Sequence, residues 1–499
     1  MSSVSGLLMK GSLWISGGRA IVNALTFLNT IILARLLTPS DFGLVAIGTA
    51  IFLILSSVTE MSLSQALIRQ GDLRDDHFHV AWTLGLLRGL FLAALIGTAA
   101  YPLALLYREP RLEEILYALA LCMFISGLSN PRRVLLSRQL IFWQDSLISV
   151  SQKLTQVLVS ILVAVYFRSY WAIIWGMLAG QVVAILISYT ILPLRPKFLL
   201  RGARDFWSFS VWLTLGQAIN TINWRFDQLL IGQMLGRMTL GYYAVGDNLA
   251  QMPTREVIAP LTQTVFPALS RLSNDKVRLV SAYQRCQTLV TAVALPAGIG
   301  CALVADPLIR AAMGEKWAGA IPVVQALSAV FAVQTLGSLV QPLGMAKGAT
   351  RMLFQRDLQM FFLRLPVVIG GMLVAGLPGL LLARVVMGLV GILFNMSIVR
   401  KLTGLALVAQ LLANTRAILA AIAMVLVVLA VERAGLVPED GRAISLLMHA
   451  FVVSLVGALA YIGITAFLWH SMGRPEGPET EMLVIVRKIC GLKTASQVQ

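Results

Sequence analysis

Charged side chains inside long apolar runs are the residues of this sequence with the clearest potential for chemistry. Each costs about 2.5–3.5 kcal/mol at the centre of a bilayer, so such groups usually face a protein interior or a water-filled cavity. Guanidinium and ammonium groups there would bind an anion, phosphate above all, while carboxylates could couple to a proton or Na⁺. The candidates for substrate contacts are Arg19, Asn23, Arg88, Lys153, Gln217, Asn220, Arg225 and Arg255, and those for ion coupling are Asp227, Asp247 and Glu60.

Each of these charges also has a structural interpretation. A charged side chain can pair with a neighbouring helix or extend to the membrane surface, and the adjacent Arg255 and Glu256 can neutralise each other. Taken together, however, the polar residues concentrate in the first, second, seventh and eighth apolar runs, which favours a shared polar cavity. Cations predominate among them, so an anionic ligand is expected. Whether Asp227 titrates stays open.

The composition defines the class of protein that must position these groups. Of the 499 residues, 58% are apolar and only 13% are charged, with a mean hydropathy of +0.81. Soluble domains have about 45–50% apolar and 25% charged residues, so a soluble enzyme and a disordered chain are both excluded. The net charge of +17 comes from Lys and Arg in short loops, where they orient spans and meet anionic headgroups rather than nucleic acid. The sequence therefore predicts an all-α polytopic membrane protein.

A membrane-spanning helix needs about 20 mostly apolar residues. This criterion gives fourteen candidate spans, although twelve or thirteen stay possible because the fourth is short and only Leu377-Pro378 separates the eleventh from the twelfth. All connections are short, so we expect no extramembrane catalytic domain and no enzyme. The spans are 11–36, 42–68, 80–106, 112–129, 146–167, 171–194, 207–234, 240–268, 286–312, 319–345, 357–376, 379–399, 412–432 and 444–470.

Loop charge predicts how the chain is oriented. Alternate loops, beginning with the N-terminal segment, carry 23 Lys and Arg residues, whereas the loops on the other side carry nine. Because cytoplasmic loops are enriched in Lys and Arg, both termini are predicted to be cytoplasmic.

An internal repeat relates the two halves of the chain. A shift of 198 residues aligns 12–48 with 210–246 without a gap, at nine identities in 37 positions. The shift carries span one onto span seven, and an even number of spans preserves direction, so the repeats are parallel. We therefore predict a six-helix N-terminal lobe (1–194), a six-helix C-terminal lobe (195–400), two additional transmembrane helices (401–470) and a cytoplasmic tail (471–499).

Three further sequence patterns have structural interpretations. His77 and His79 are interpreted as part of a solvated inner loop rather than a metal site. Prolines of the second half could bend helices into gates or simply pack, and the tail over 481–493 is expected to lie at the membrane interface. These prolines are Pro253, Pro260, Pro267, Pro296, Pro322, Pro342 and Pro366.

Two segments resemble the bacterial polysaccharide transporters. Residues 34–46 read ARLLTPSDFGLVA and residues 62–68 read SLSQALI, which is similar to the start of the Wzx-type flippases of the multidrug/oligosaccharidyl-lipid/polysaccharide (MOP) exporter superfamily. In the second repeat, FDQLLIG at 226–232 and LGYYA at 240–244 are similarly typical. The resemblance covers about the first 400 residues, and no functional residue is carried over from the family.

The resemblance implies a fold and a function. It implies two six-helix lobes forming a V around a central cavity, and transfer of undecaprenyl-diphosphate-linked oligosaccharides across the bacterial inner membrane for exopolysaccharide, O-antigen or capsule synthesis. In that mechanism the diphosphate enters the basic cavity from the cytoplasm while the lipid tail stays in the bilayer. The expected partners are the lipid-linked substrate, membrane lipids, a polysaccharide polymerase and a chain-length regulator, without nucleic acid. No cofactor is expected beyond a coupling proton or Na⁺.

Three other functions compete with this one. A cation-coupled multidrug exporter would share the fold but should have an acidic cavity. A flippase for the lipid-linked peptidoglycan precursor would suit fourteen spans. A membrane polysaccharide polymerase or ligase typically needs a large outer loop, which the span pattern does not provide.

Overall fold

The computed structural model describes residues 4–58, 67, 74–139, 141–201, 211–435, 442–474 and 477–480. These parts of the chain are helical throughout, apart from short connections, and contain no strand. The long helices are α1 (Val4–Leu36), α2 (Pro39–Val58), α3 (Asp75–Tyr107), α4 (Arg111–Gly127), α5 (Phe142–Phe167), α6 (Trp171–Ile191), α7 (Val211–Met234), α8 (Gly236–Arg271), α9 (Lys276–Leu303), α10 (Ile321–Gln334), α11 (Thr350–Thr403), α12 (Thr415–Arg433) and α13 (Ala443–Ser471).

Short helical turns connect several of the long helices. They are 3₁₀ turns at Pro131–Arg133, Glu315–Ala320 and Thr335–Gly337, and α-helical turns at Val134–Arg138, Ala305–Met313, Val340–Ala346 and Leu407–Leu412.

The helices fit a multi-pass membrane protein. Among the described residues, ten helical segments are long and apolar enough to cross a membrane, since a bilayer core of about 30 Å requires about 20 residues of helix. Within the described residues, the predicted spans fall on helices. Three predicted spans are not among these ten segments. They correspond to the 17-residue α4 and to α7 and α8, whose polar side chains lower their hydropathy.

Helix α11 is a helical hairpin that supplies two spans. Its backbone leaves helical geometry at Ala375 and at Gly376, where φ is +58°, so the break precedes the predicted Leu377-Pro378 division. Gly376 adopts this φ because it has no Cβ, and Pro378 is tolerated because it falls in the first turn of the second half. A Cβ on Gly379 would lie 1.9 Å from the carbonyl oxygen of Gly371, so the two halves are in backbone contact.

The two histidines assigned to a loop lie instead in α3. His77 Nδ1 accepts a hydrogen bond from the Arg74 backbone N–H at 3.1 Å, which helps to cap the first turn of the helix. His79 Nδ1 accepts one from the Lys197 N–H at 3.3 Å. The interpretation as a loop was wrong because polar residues in a first helical turn are favoured by the backbone N–H groups left without helical partners there.

The described chain divides into two compact units, Met1–Val245 and Gly246–Gln499. Helix α7 belongs to the first unit because it packs along α2. At Gly232, for example, an added Cβ would lie 3.0 Å from the side chain of Ile47. The predicted lobes, 1–194 and 195–400, were defined by the sequence repeat and not by contacts, so they stay a prediction.

Candidate functional site

Helices α1 and α5 form the seam that positions the first group of candidate residues. Ser146 Oγ donates to the carbonyl oxygen of Trp14 at 3.1 Å, and Ser160 Oγ donates to Asn29 Oδ1 at 3.0 Å. Both sequence numbers increase together along the contact, so the two helices run parallel. Lys153 lies seven residues from each serine, and residues seven apart share one face of a helix. Lys153 therefore lies on the face of α5 that meets the middle of α1.

The same stretch of α1 carries Arg19 and Asn23, both half-buried. Gly18 allows the close approach there, since a Cβ at this position would lie 2.9 Å from the Cβ of Ser146. Lys153 is half-buried as well, and its Nζ donates to Gln156 Oε1 at 3.3 Å. Arg19, Asn23 and Lys153 thus lie at the same level of these two packed helices.

Arg88 connects α3 to α2. Its Nη2 donates to the carbonyl oxygen of Ser56 at 2.7 Å and lies 3.4 Å from the Ser56 Oγ. The side chain is half-buried. The Arg88 guanidinium is therefore anchored to the backbone of α2 at Ser56.

Helix α7 holds a cation and a carboxylate two residues apart. Arg225 is half-buried and its Nη1 lies 3.5 Å from Gln228 Oε1. Asp227 is fully buried, and its Oδ2 accepts a hydrogen bond from the Tyr243 hydroxyl of α8 at 3.0 Å. Because successive helical positions diverge by about 100°, Arg225 and Asp227 point to different sides of α7. The carboxylate lies in the packed interior of the first unit.

The remaining candidates separate into two groups. Asn220 is exposed on α7, and Arg255 is exposed on α8 with its Nε 3.5 Å from Glu256 Oε1, as the neutralising interpretation predicts. Glu60 and the side chain of Gln217 lie outside the described residues.

The start of α2 and the start of α8 cross in backbone contact. A Cβ added to Gly43 would lie 1.7 Å from the carbonyl oxygen of Arg237, and one added to Gly241 would lie 1.8 Å from that of Pro39. The 198-residue shift maps Gly43 onto Gly241 and Pro39 onto Arg237. The contact therefore maps onto itself, as in an isologous two-fold interface. A local pseudo-two-fold axis passes between the two glycines, which is the geometry that parallel repeats require.

Two polar contacts hold the turn between α7 and α8 beside this crossing. The Tyr107 hydroxyl at the end of α3 donates to the Leu229 carbonyl oxygen at 3.2 Å. Glu109 forms ion pairs with Arg237 and, at 2.8 Å, with Arg111. Within the first unit, α7 and the start of α8 are thus fastened to α2 and α3 by the glycine crossing, an ion pair and a hydrogen bond.

The second unit buries an ion pair between α8 and α11. Asp247 and Arg384 are 5% and 6% exposed, with Asp247 Oδ1 3.8 Å from Arg384 Nη2. Gln251 Nε2 donates to Asp247 Oδ2 at 2.8 Å, and the guanidinium lies 5.9 Å from the ring centre of Phe331. Asp247 was a predicted candidate, but Arg384 was not. Its position in a long apolar run marks it as an intramembrane charge, but not as the partner of Asp247.

Sequence reasoning also missed Gln287 of α9. Its Nε2 donates to the Thr335 carbonyl oxygen at 2.6 Å and to Thr291 Oγ1 at 3.1 Å, and its Oε1 accepts from the Leu339 N–H at 3.3 Å. These bonds satisfy backbone groups at the 3₁₀ turn after α10, inside a span, where no water is available to them. No local pattern marks this role, because the partners are about fifty residues away.

This arrangement of helices matches that of solved membrane transporters. The fold matches the lipid II flippase MurJ in an inward closed conformation, with a TM-score of 0.73 and 14% identity over 93% of this chain and 100% of that one. It also matches a multidrug resistance MATE family transporter of the MOP superfamily in its inward-facing conformation, with a TM-score of 0.57 and 14% identity over 76% and 95% of the two chains. The chain therefore has the MOP transporter fold, as predicted.

Sequence comparison then specifies the family. Residues 32–322 match the model of the family described as polysaccharide biosynthesis protein, and the chain belongs to that family. The lipopolysaccharide biosynthesis protein WzxC of Escherichia coli K12 is 22% identical to it over 75% of this chain and 77% of that protein. The resemblance read from residues 34–46 and 226–244 is confirmed.

Proposed function

We propose that this protein moves undecaprenyl-diphosphate-linked oligosaccharide from the cytoplasmic to the periplasmic leaflet of the bacterial inner membrane by alternating access. The flipped repeat units would serve exopolysaccharide, O-antigen or capsule synthesis, where a polymerase and a chain-length regulator act on them. Both termini lie in the cytoplasm on this proposal. The MOP fold and membership of the polysaccharide biosynthesis family support it.

The observation that carries the proposal is a set of four cations inside the helices of the first unit: Arg19, Arg88, Lys153 and Arg225, all half-buried. All four lie in apolar helical segments, where a charged side chain raises the free energy of membrane insertion unless it faces a protein interior or a water-filled cavity. A diphosphate offers several acceptor oxygens and a high negative charge, which suit guanidinium forks and an ammonium group. The lipid tail needs no polar contact and can stay in the bilayer during transfer.

Alanine substitution of each of the four cations is expected to reduce polymer export at least about tenfold, the factor that corresponds to one lost charge-assisted contact of about 1.4 kcal/mol. The measurement is polymer output from a strain that lacks its own flippase, normalised to the membrane level of each variant. Arg400→Ala removes an exposed cation of α11 and serves as the matched control. Normal output from all four variants would reject the assigned role.

Further phenotypes distinguish this function from the three competing ones. Altered drug sensitivity with unchanged polysaccharide would indicate a multidrug exporter, and rescue of a strain depleted of its peptidoglycan-precursor flippase would indicate that substrate instead. Polymerisation of sugars by the purified protein would reveal an enzyme.

We further propose that Asp227 couples transfer to a proton or to Na⁺. The carboxylate is fully buried and hydrogen-bonded to Tyr243, so its occupancy by a cation would alter the contact between α7 and α8. Asp247 is held by Arg384 and Gln251 and is the second candidate. Glu60 is the third candidate for ion coupling, because it is a carboxylate within the second apolar run of the sequence.

Asp227→Asn is expected to remove the response of transport to an imposed gradient. In proteoliposomes, a pH or Na⁺ gradient should accelerate headgroup transfer by the unchanged protein and leave the variant at its basal rate. Tyr243→Phe keeps the carboxylate and should retain part of the response, while Asp76→Asn alters an exposed carboxylate of α3 and should retain all of it. An undiminished gradient response in Asp227→Asn would exclude this residue as the coupling site.

A further inference from the structure

A cavity of about 240 Å³ lies in the second unit, between α9, α12, α13 and the short segment 477–480 that follows α13. A single water needs only about 10–15 Å³ of such space, so the cavity is large enough for part of an organic ligand. Its walls are mostly apolar. Its lining includes Ala292, Asn414, Arg416, Ile462, Trp469 and Glu479.

One ion pair closes one side of the cavity. Arg416 Nη1 lies 2.9 Å from Glu479 Oε2, and the two side chains are only 16% and 11% exposed. Gly477 lies directly against the same guanidinium, since a Cβ there would be 2.5 Å from Arg416 Nη2. The segment 477–480 is thus seated on Arg416, and its one carboxylate occupies the position that an anion from another molecule would take.

Asn414 contributes a buried side chain to the cavity wall. Asn414 is 3% exposed, and its Nδ2 donates to the Gln410 carbonyl oxygen at 2.9 Å. Its Oδ1 has no hydrogen-bond partner within the described part of the chain. Asn414 is therefore a fixed part of the wall, tied to the end of the preceding helical turn through its Nδ2.

The mouth of the cavity lies at the lipid-facing surface. Ile462 on its rim is 64% exposed, on a helix apolar enough to span the membrane. Trp469 lies two turns further on, and the guanidinium of Arg474 lies 5.7 Å from its ring centre. A Trp with a flanking Arg is typical of the membrane–water interface, so the cavity opens where lipid headgroups meet the first part of their acyl chains.

We infer that this cavity binds an anionic glycerophospholipid of the surrounding membrane. The phosphate would meet Arg416, and an acyl chain would lie against Ala292 and Ile462. Glu479 competes with the phosphate for Arg416, so the segment 477–480 leaves its seat when the lipid binds. This site is separate from the four cations of the first unit and does not depend on their role.

The test measures retention of phosphatidylglycerol by the purified full-length protein, with native mass spectrometry after exchange into mixed micelles. Arg416→Gln should lower retention about tenfold, as expected for the loss of one charge-assisted contact. Glu479→Gln should raise it, because the competing carboxylate is gone. Retention of phosphatidylcholine should not change in either variant, and Arg400→Gln is the matched control for an exposed cation.

The gain of binding in Glu479→Gln cannot arise from misfolding, so the proposal stays testable if Arg416→Gln is unstable. Equal phosphatidylglycerol retention by the unchanged protein and by Arg416→Gln, or lower retention by Glu479→Gln, would overturn it. Displacement of the lipid by inorganic phosphate alone would also overturn it, since the site would then bind the free anion rather than the lipid.

Discussion

Replacing Gly43 with alanine is expected to abolish polymer export and to lower the thermal stability of the purified protein. The new Cβ would lie 1.7 Å from the carbonyl oxygen of Arg237. That oxygen is part of the backbone of α8 and cannot rotate away, so the two helices must separate. Overpacking of this kind costs about 1–3 kcal/mol and occasionally more. The Glu109–Arg237 ion pair would be displaced with the helix.

The repeat supplies an internal check on this prediction. Gly241→Ala creates the same overlap with Pro39, so both variants should show similar losses in thermal unfolding and in polymer output. Gly97→Ala in α3 is the matched control, because no atom lies within 4 Å of the added Cβ and alanine is the better helix former. If Gly43→Ala unfolds at the same temperature as Gly97→Ala and exports normally, the crossing is not a tight contact.

Removing the carboxylate of Asp247 is the second change with a large expected effect. Asp247→Ala removes the carboxylate that is paired with Arg384 in a site where the guanidinium is only 6% exposed, and breaking a buried ion pair by removing one member typically costs about 3–5 kcal/mol. The thermal unfolding temperature of the detergent-solubilised protein should fall markedly. Combining Asp247→Leu with Arg384→Met should recover much of it, because two apolar side chains can replace a buried pair.

A surface pair provides the comparison. The Arg278 and Asp275 side chains are 78% and 48% exposed, so Arg278→Ala should cost less than about 1 kcal/mol. A double-mutant cycle on Asp247 and Arg384 then measures their coupling directly. A single Asp247→Ala variant as stable as Arg278→Ala, or a double variant less stable than either single one, would contradict the assignment of this pair as a stabilising contact.

The candidate site could be predicted from sequence only as a set of residue types. The insertion cost of a charge is a local property, so Arg19, Arg88, Lys153 and Arg225 were found from their surroundings in the chain. Their partners could not be found in this way. Arg88 meets Ser56 on another helix, and Asp247 meets Arg384 across 137 residues of sequence. Contacts of that kind depend on which helices are neighbours.

The sequence alone determined the class of protein, the positions of the helices and the parallel repeat. It could do so because the bilayer imposes a helix of about 20 apolar residues on every crossing, whatever the neighbours are. The tertiary structure decided which faces meet: the seam between α1 and α5, the two-fold crossing at Gly43 and Gly241, and the hairpin that breaks at Gly376 rather than at Pro378. In these places the outcome depends on backbone approach and φ angles, which residue types permit but only the packed helices select.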